Sequence, residues 1–360
     1  MQAAVCYEFG QPLVIAEINL ADPGPDEVLV DVKACAICHS DITFADGHWG
    51  GALPAVFGHE AAGIVASVGP GVTQVVPGDH VVVTLIRACG HCHYCAQESQ
   101  VMCEQSFALD HKSPITARDG SAIGQSMRMG AFAERIVVHH SQMVRIPESI
   151  PFASASLLAC GVITGFGAVV NTAAVKPGQQ IAVVGCGGVG LNAIQGARHA
   201  GASKIIGIDL SPAKLNDASL FGATHTINST TQDASAEIMQ LTANRGVDYV
   251  FVTVGAKAAL DAASQYITKN GAVVVVGMPP TGVMAAYDPG TLAAWNQRIL
   301  GSKMGETIIS RDIPRLVQAY QQGELMLDEL VSNTFSLANI NTAIAEVKAG
   351  SVRRNVIVFD

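Results

Sequence analysis

Short apolar runs alternate with helical patterns through the second half of the chain. The run at residues 181–184 is β-branched and short, which is typical of a strand buried on both faces. A helical pattern follows at 191–200, and a second apolar run follows at 204–208. The alternation continues with helices at 212–221 and 256–268 and strands at 248–254 and 272–276. Alternating units of this kind predict a parallel sheet with right-handed crossovers.

The beginning and the end of the chain show other patterns. Residues 1–83 contain short β segments separated by turns rich in proline and glycine, which predicts a small antiparallel lobe. Residues 104–130 show little periodicity. The C-terminal part predicts helices at 313–321 and 340–348 and a final strand at 355–359.

A glycine-rich turn lies between the first strand and the first helix of the alternating part. Its residues are Gly185, Cys186, Gly187, Gly188, Val189 and Gly190, in the pattern G-x-G-x-x-G. The glycines permit a tight turn and bring backbone amides and the positive helix N-terminus close to a pyrophosphate. Asp209 follows the second strand, where a carboxylate accepts the ribose hydroxyls and repels a 2′-phosphate. The pattern therefore predicts a dinucleotide site that prefers NAD; the alternative is a glycine-rich turn without a ligand.

Composition narrows the class of protein. The chain has 360 residues, of which 49% are hydrophobic and 14% charged, so we expect a well-buried globular protein with two domains. The net charge of −9 and the lack of a basic cluster disfavour nucleic acid and anionic membranes as partners. No signal sequence or membrane span is recognisable, and nine cysteines at tight spacings favour metal binding in a reducing compartment. The cytoplasm is the expected location.

Four cysteines form a compact motif. Cys89, Cys92, Cys95 and Cys103 follow the spacing C-x2-C-x2-C-x7-C, and four thiolates so spaced can surround one zinc ion. Because protein sulfur fills all four positions, the site is predicted to be structural. His91 and His93 lie within the motif and are interpreted as exposed loop residues.

A second set of possible metal ligands is dispersed along the chain. Cys38, His59 and Cys160 would leave one tetrahedral position open, as in catalytic zinc sites. From the residues alone, Cys38 and His59 have even odds of being metal ligands. A lone cysteine such as Cys160 is usually a small hydrophobic residue in the core.

Taken together, these motifs resemble those of the zinc-dependent alcohol dehydrogenases of the medium-chain dehydrogenase/reductase family. The resemblance runs from end to end and is closest to the long-lobe branch of that family. Its motifs are Cys38-His39-Ser40-Asp41, Gly58-His59-Glu60-Ala61-Ala62-Gly63, the four-cysteine motif, Cys160-Gly161-Val162-Ile163-Thr164-Gly165, the glycine turn, and Gly350-Ser351-Val352-Arg353-Arg354. The resemblance implies an α/β fold with a GroES-like β-rich catalytic domain and a Rossmann domain with a doubly wound parallel sheet. The implied domains are 1–161 with 304–360, carrying a zinc lobe at about 88–104, and 162–303.

The resemblance also implies roles for residues near the catalytic metal. It makes Cys38, His59 and Cys160 the ligands of a catalytic zinc, with Glu60 beside that zinc. Asp41 would orient the ligand histidine, as ligating imidazoles generally require. Ser40 would take the alcohol proton, but Thr43 stands where a histidine often continues the proton relay, which leaves the exit route open.

For the cofactor and substrate, the resemblance implies further positions. His39 and Arg354 would contact the pyrophosphate, with Arg353 as the rival of Arg354 by one register step. Lys214 would support the adenosine ribose. Thr164, Val189 and Val276 would flank the nicotinamide, and Trp49, Leu85, Met278 and Met304 would line an apolar substrate pocket.

The expected function is NAD-dependent oxidation of a primary aliphatic or aromatic alcohol to an aldehyde, in a reversible reaction that uses two zinc ions per chain, one catalytic and one structural. A thiol-dependent formaldehyde dehydrogenase, using glutathione or mycothiol, is the alternative within the family. A non-catalytic protein that binds NAD and zinc is the alternative of another class. The segment between Cys103 and Cys160 is similar to that of the family's long-lobe members, which are commonly dimers, so the resemblance implies a homodimer, with a tetramer as the alternative.

Overall fold

The computed structural model describes residues 1–360, which divide into two compact units. The β-rich unit comprises residues 1–160 and 308–360, and the parallel-sheet unit comprises 161–307. The domain boundaries expected from the sequence, at 161/162 and 303/304, lie within a few residues of these divisions. None of the helices has the length and apolar character needed to cross a membrane.

The strands are numbered in chain order. They are β1 (Gln2–Cys6), β2 (Val14–Leu20), β3 (Glu27–Ala36), β4 (Ala55–Val56), β5 (Glu60–Val68), β6 (His80–Thr84), β7 (Ile115–Ala117), β8 (Ala122–Gln125), β9 (Arg135–His139), β10 (Met143–Arg145), β11 (Gln180–Val184), β12 (Lys204–Asp209), β13 (His225–Asn228), β14 (Val247–Val252), β15 (Ile267–Val275), β16 (Arg298–Gly301), β17 (Val331–Ser336) and β18 (Arg354–Val358).

The α-helices are numbered in the same way. They are α1 (His39–Ala45), α2 (His93–Ala96), α3 (Ala108–His111), α4 (Phe152–Leu157), α5 (Gly161–Gly167), α6 (Gly188–His199), α7 (Pro212–Phe221), α8 (Ala234–Leu241), α9 (Lys257–Ala263), α10 (Pro289–Ala294), α11 (Ile309–Gln321) and α12 (Ile340–Lys348).

The β-rich unit contains two sheets. One is a closed barrel in the order β1-β2-β7-β8-β4. The other has the order β10-β6-β5-β3-β18-β17, with β9 also paired to β3. Alternate residues of β3, including Val28, Val30 and Val32, are buried in a core that also receives Phe132. The long antiparallel pair of β3 and β5 brings Cys38, which follows β3, and His59, which precedes β5, to the same part of this unit.

The parallel-sheet unit has one sheet in the order β13-β12-β11-β14-β15-β16, and all of its strand pairs are parallel. The central strand β11 is covered on both faces, which explains the unbroken apolar run that marks it in the sequence. Together with the β-rich unit, this sheet gives the α/β class that the sequence predicts.

The helices test the sequence-based boundaries. Helices α7 and α12 have the predicted bounds. Helix α7 has Pro212 in its first turn and ends at Gly222, whose φ of 116° few other residues adopt. The predicted helix at 313–321 begins earlier, at Ile309, since the Asp312 carboxylate accepts a hydrogen bond of 2.9 Å from the Ile308 amide.

The predicted helix at 256–268 is wrong in its second half. Helix α9 ends at Ala263, and the chain from Ile267 onward is strand β15. Parallel pairing with β14 begins at Ile267, opposite Val247. The β-branched Ile267 and Thr268 suit the strand, so tertiary pairing outweighs a helical pattern that continued past Ala263.

Candidate metal centres and cofactor site

Four potential ligands that are far apart in the sequence meet in the β-rich unit. We call Cys38, His59, Glu60 and Cys160 the dispersed cluster; their ligating atoms all lie within 4.8 Å of one another. Cys38 precedes α1, His59 directly precedes β5, Glu60 is the first residue of β5, and Cys160 follows α4. Cys38 is half-buried and the other three are buried, so the cluster is shielded from most solvent.

Asp41 fixes two members of this cluster. One of its carboxylate oxygens accepts a hydrogen bond of 3.0 Å from the Cys38 amide. The other accepts bonds of 2.9 Å from the Gly58 amide and from His59 Nδ1. The imidazole therefore carries its proton on Nδ1, and Nε2 is buried without a hydrogen-bond partner. An Nε2 held in this way beside two sulfurs can release its proton and bind zinc in its place, so the residues fit the metal.

Charge and burial act together on the dispersed cluster. A hydrogen bond from the Cys160 thiol and the nearby His59 hold the pKa of Cys38 well below its usual value, while the same bond and burial raise the pKa of Cys160. Burial lowers the pKa of His59, but the charges of Asp41 and Cys38 outweigh it, so the pKa is raised. Thiolate character at Cys38 favours binding of a cation.

Glu60 is paired with an arginine from the far end of the chain. Burial raises the pKa of Glu60 to about 7, an effect that the charge of Arg354 opposes. Arg354 is itself buried, forms an ion pair with Glu60 and donates a bond of 3.3 Å to the Ile37 carbonyl. Arg353 instead donates to the Glu329 carbonyl at 2.8 Å. Sequence reasoning missed the Glu60–Arg354 pair, because no local pattern links two residues so far apart.

Helix α1 carries the residues predicted to handle the proton. Ser40 Oγ lies 3.1 Å from Cys38 Sγ, at the edge of the dispersed cluster. The Thr43 hydroxyl donates to the His39 carbonyl at 2.9 Å within the helix. His39 is exposed at the first position of α1. The Ser40 hydroxyl therefore lies beside the dispersed cluster, whereas the Thr43 hydroxyl is hydrogen-bonded within its own helix.

The other cluster is formed by a single segment. We call Cys89, Cys92, Cys95 and Cys103 the four-cysteine loop; their sulfurs lie within 4.8 Å of one another, with 4.0 Å between Cys89 and Cys95 and between Cys92 and Cys103. Four thiolates around one zinc are separated by about 3.8 Å when each zinc–sulfur bond is about 2.3 Å, so the loop fits this metal. All nine cysteines are free thiols. His91 and His93 are exposed beside the loop, as expected.

The glycine turn has the shape that a pyrophosphate requires. Gly185 has a φ of 93°, and a Cβ on Gly190 would lie 1.9 Å from the Gly185 carbonyl oxygen. A Cβ on Gly187 would meet nothing within 4 Å, so there is open space before the N-terminus of α6. The turn thus combines close backbone packing with an unobstructed helix N-terminus, and the residues fit a dinucleotide.

Asp209 lies at the end of β12. Its carboxylate accepts bonds of 2.8 Å from the Cys186 amide and 3.0 Å from the Ser211 amide. Lys214 is half-buried in α7. The two amide bonds fix the carboxylate of Asp209 against the glycine turn.

The residues predicted to lie near the nicotinamide and the substrate are distributed over both units. In the parallel-sheet unit Thr164 and Val276 are buried, and the Thr164 hydroxyl lies 3.6 Å from the Met304 sulfur. Val189 is half-buried in α6. Met278 is 68% exposed.

Trp49 and Leu85 of the β-rich unit are half-buried, and Trp49 packs edge-on against Phe44 at 5.1 Å. A cavity of about 190 Å³ in this unit is lined by Phe9, Phe44 and Phe57 among others, and by neither Trp49 nor Leu85. The predicted pocket thus remains a prediction.

A β-rich unit with a thiolate–imidazole cluster, followed by a parallel sheet with a dinucleotide turn, defines a class of metal-dependent dehydrogenases. Family models agree. Residues 24–148 match the alcohol dehydrogenase GroES-like domain, and residues 188–322 match the zinc-binding dehydrogenase domain.

Individual proteins are similar over the whole length. The NDMA-dependent alcohol dehydrogenase of Amycolatopsis methanolica is 35% identical, over 99% of this chain and 98% of its own. The S-(hydroxymethyl)glutathione dehydrogenase of Paracoccus denitrificans is 35% identical over 99% of both chains. The crystal structure of benzyl alcohol dehydrogenase from Acinetobacter calcoaceticus superimposes with a TM-score of 0.93 at 32% identity, covering 100% of this chain and 99% of that one. The chain belongs to the zinc-dependent alcohol dehydrogenases of the medium-chain dehydrogenase/reductase family.

Proposed function

We propose that this protein is an NAD-dependent zinc alcohol dehydrogenase that converts a primary aliphatic or aromatic alcohol reversibly to its aldehyde. The observation that carries the proposal is the dispersed cluster. Two sulfurs, a carboxylate and the partnerless His59 Nε2 converge on one point, which is buried and held by Asp41. Such a donor set can bind zinc through Cys38, His59 and Cys160 and leave one position for an alcohol.

Zinc bound there would supply a Lewis acid that lowers the pKa of the alcohol hydroxyl. Asp41 holds the His59 ring with Nε2 directed at the cluster. Ser40 would accept the alcohol proton, a role supported by the 3.1 Å between its hydroxyl and Cys38 Sγ. Glu60, paired with Arg354, would offer a carboxylate to a metal held at the same point.

The four-cysteine loop would hold a second zinc with a structural role, because its four sulfurs leave no position for substrate. The parallel-sheet unit would bind the nicotinamide cofactor through the glycine turn, and the cofactor would accept the hydride. The fixed carboxylate of Asp209 supports NAD over NADP, because it can accept both ribose hydroxyls and would repel a 2′-phosphate. His39, Lys214 and Arg354 are proposed to support the ribose and pyrophosphate.

The substrate class rests on apolar residues. Trp49, Leu85, Met278 and Met304 offer no charged group, which favours an uncharged alcohol. The structural relative named benzyl alcohol dehydrogenase supports an aromatic alcohol. The relative named S-(hydroxymethyl)glutathione dehydrogenase supports the second candidate, a thiol-dependent formaldehyde dehydrogenase.

An NADH absorbance assay over a panel of primary alcohols, and over formaldehyde with and without glutathione or mycothiol, tests the proposal. We expect turnover of uncharged primary alcohols without added thiol. Activity on formaldehyde only with a thiol would establish the second candidate instead. Zinc and NAD bound without turnover on any compound would identify a non-catalytic protein.

Two cysteines on adjacent elements provide a matched test of the metal. Cys38→Ala should abolish turnover and remove one zinc per chain, because Cys38 belongs to the dispersed cluster. Cys35→Ala should keep both zinc ions, because Cys35 is a buried thiol outside either cluster. Normal turnover of the Cys38→Ala variant would refute the proposed catalytic metal.

We further propose that the protein forms a homodimer through the parallel-sheet unit. Strand β16 is the edge of its sheet, and large exposed apolar side chains lie on it and in the preceding segment. These side chains are Met278, Met284, Tyr287, Trp295 and Ile299. An open strand edge beside apolar side chains favours pairing with another chain. Light scattering should give a dimeric mass that Ile299→Lys lowers to the monomer; a tetramer or a monomer in the unaltered protein would contradict this.

A further inference from the structure

An arginine just before the four-cysteine loop is buried to an unusual degree. Arg87 follows β6, lies two residues before Cys89, and is only 1% exposed. It is the largest of the fully buried side chains. A buried guanidinium is costly unless its donors are satisfied, so the groups that surround Arg87 show what it fixes in place.

The guanidinium bonds to three separate segments. Nε donates to Gln142 Oε1 at 2.7 Å. One terminal nitrogen donates to Asp110 Oδ1 at 3.0 Å, and the other donates to the Arg128 carbonyl at 3.2 Å. The guanidinium carbon also lies 5.5 Å from the centre of the Phe107 ring. The planar fork of arginine is suited to holding several acceptors in fixed directions.

These contacts tie down both ends of the four-cysteine loop. Phe107 and Asp110 follow Cys103, so they fix the segment that leaves the loop. Arg87 itself fixes the segment that enters it. The neighbouring Ala88 amide donates to Ser141 Oγ at 3.1 Å, next to Gln142. One buried side chain therefore joins the entrance and the exit of the loop to the same support.

We infer that Arg87 is a positioning residue for the four-cysteine centre and slows the loss of its metal; this inference rests on the proposed structural zinc. A thiolate leaves a metal when its backbone moves away. Because both ends of the loop are fixed, a sulfur that dissociates stays close and binds again. Lysine cannot replace arginine here, since a single ammonium cannot reach the acceptors on all three segments.

The test follows zinc and thiols together in the unmodified holoenzyme. A chromogenic chelator reports zinc release at 25 °C, and Ellman's reagent counts the thiols that become reactive. Release from the four-cysteine loop exposes four thiols, whereas release from the dispersed cluster exposes the two thiols of Cys38 and Cys160. The remaining cysteines, Cys6, Cys35 and Cys186, are buried and lie outside both clusters, so release of either metal leaves their reactivity unchanged.

We expect Arg87→Lys to accelerate the four-thiol phase about tenfold or more and to leave the two-thiol phase unchanged. Arg135→Lys is the matched control, because Arg135 forms an exposed ion pair with Asp31 on the same unit. It should change neither phase. A lower Tm for Arg87→Lys with an unchanged four-thiol phase would overturn the inference, since Arg87 would then support the fold alone.

If Arg87→Lys does not fold, the Asp110→Asn variant tests the role of Arg87 instead. Asp110 is partly exposed and loses only its charge in this variant. It should accelerate the four-thiol phase about threefold, and an unchanged rate would overturn the inference. Absence of any four-thiol phase in the unaltered protein would refute the structural zinc itself, and the role of Arg87 would fall with it.

Discussion

The dispersed cluster and the four-cysteine loop use similar ligand atoms and are built in opposite ways. The loop draws its four sulfurs from one segment, and three of its cysteines remain half-exposed. The dispersed cluster draws its ligands from three distant segments, is mostly buried, and has Asp41, Ser40 and Arg354 packed around it. A complete set of sulfurs suits a structural ion. A mixed set of sulfur, nitrogen and oxygen ligands, with carboxylates and a hydroxyl beside it, suits a catalytic ion.

The largest expected effect separates the two clusters directly. Cys160→Ala should lower kcat about a thousandfold or more, because a catalytic metal contributes several kcal/mol to lowering the barrier. Cys95→Ala should mainly lower the Tm, since loss of a structural metal removes folding free energy, at roughly 2–4 °C per kcal/mol. Steady-state kinetics and calorimetry on both variants provide the measurement. Equal losses of activity per folded molecule would erase the proposed distinction.

A smaller effect on kcat should distinguish the hydroxyls of Ser40 and Thr43, which lie on the same helix. Ser40→Ala should lower kcat about a hundredfold or more, the usual contribution of a positioned proton acceptor. Thr43→Ala should have little effect, because the Thr43 hydroxyl is bonded to the His39 carbonyl. The kcat of the two variants under saturating alcohol gives the answer. If Thr43→Ala were the more damaging, the proton would leave by another path.

The next effect in size concerns Asp41, which holds His59, and should appear as a loss of zinc affinity. In Asp41→Asn one amide oxygen must replace two carboxylate oxygens that serve Cys38, Gly58 and His59. We expect zinc affinity to fall about 10–100-fold, as is usual when the partner of a ligating histidine is altered. Competition with a chelator measures it.

Asp46→Asn is the control for Asp41→Asn. Asp46 follows the same helix and pairs with Lys348 near the surface. An exposed pair of this kind contributes little. The same loss of zinc in both variants would show that the effect is not specific to the cluster.

The smallest effect concerns the cofactor. Asp209→Asn should reduce the preference for NAD over NADP about tenfold, since charge-assisted bonds to the ribose weaken and repulsion of a 2′-phosphate ends. The ratio of kcat/KM for the two cofactors is the measurement, and zinc content should stay constant. An unchanged ratio would remove Asp209 from cofactor selection.

The features that could be predicted from the sequence are those that depend on neighbouring residues in the chain. The glycine turn, the spacing of Cys89 to Cys103, and the bounds of α7 and α12 each depend on residues close together in the chain. The helix that was extended through Thr268 failed because pairing with β14 converts that segment to a strand. The Glu60–Arg354 pair and the contacts of Arg87 gave no signal, since their partners are brought together only by the folded sheets.

By itself, the amino-acid sequence determined the two-part architecture, the family and the ligand types. Apolar periodicity and short motifs encode these properties over a few residues at a time. Only the tertiary structure decided that His59 directs Nε2 into the dispersed cluster, that Arg354 rather than Arg353 meets Glu60, and that Arg87 joins both ends of the four-cysteine loop. Each of these depends on distances between remote segments, which are set by the pairing of strands.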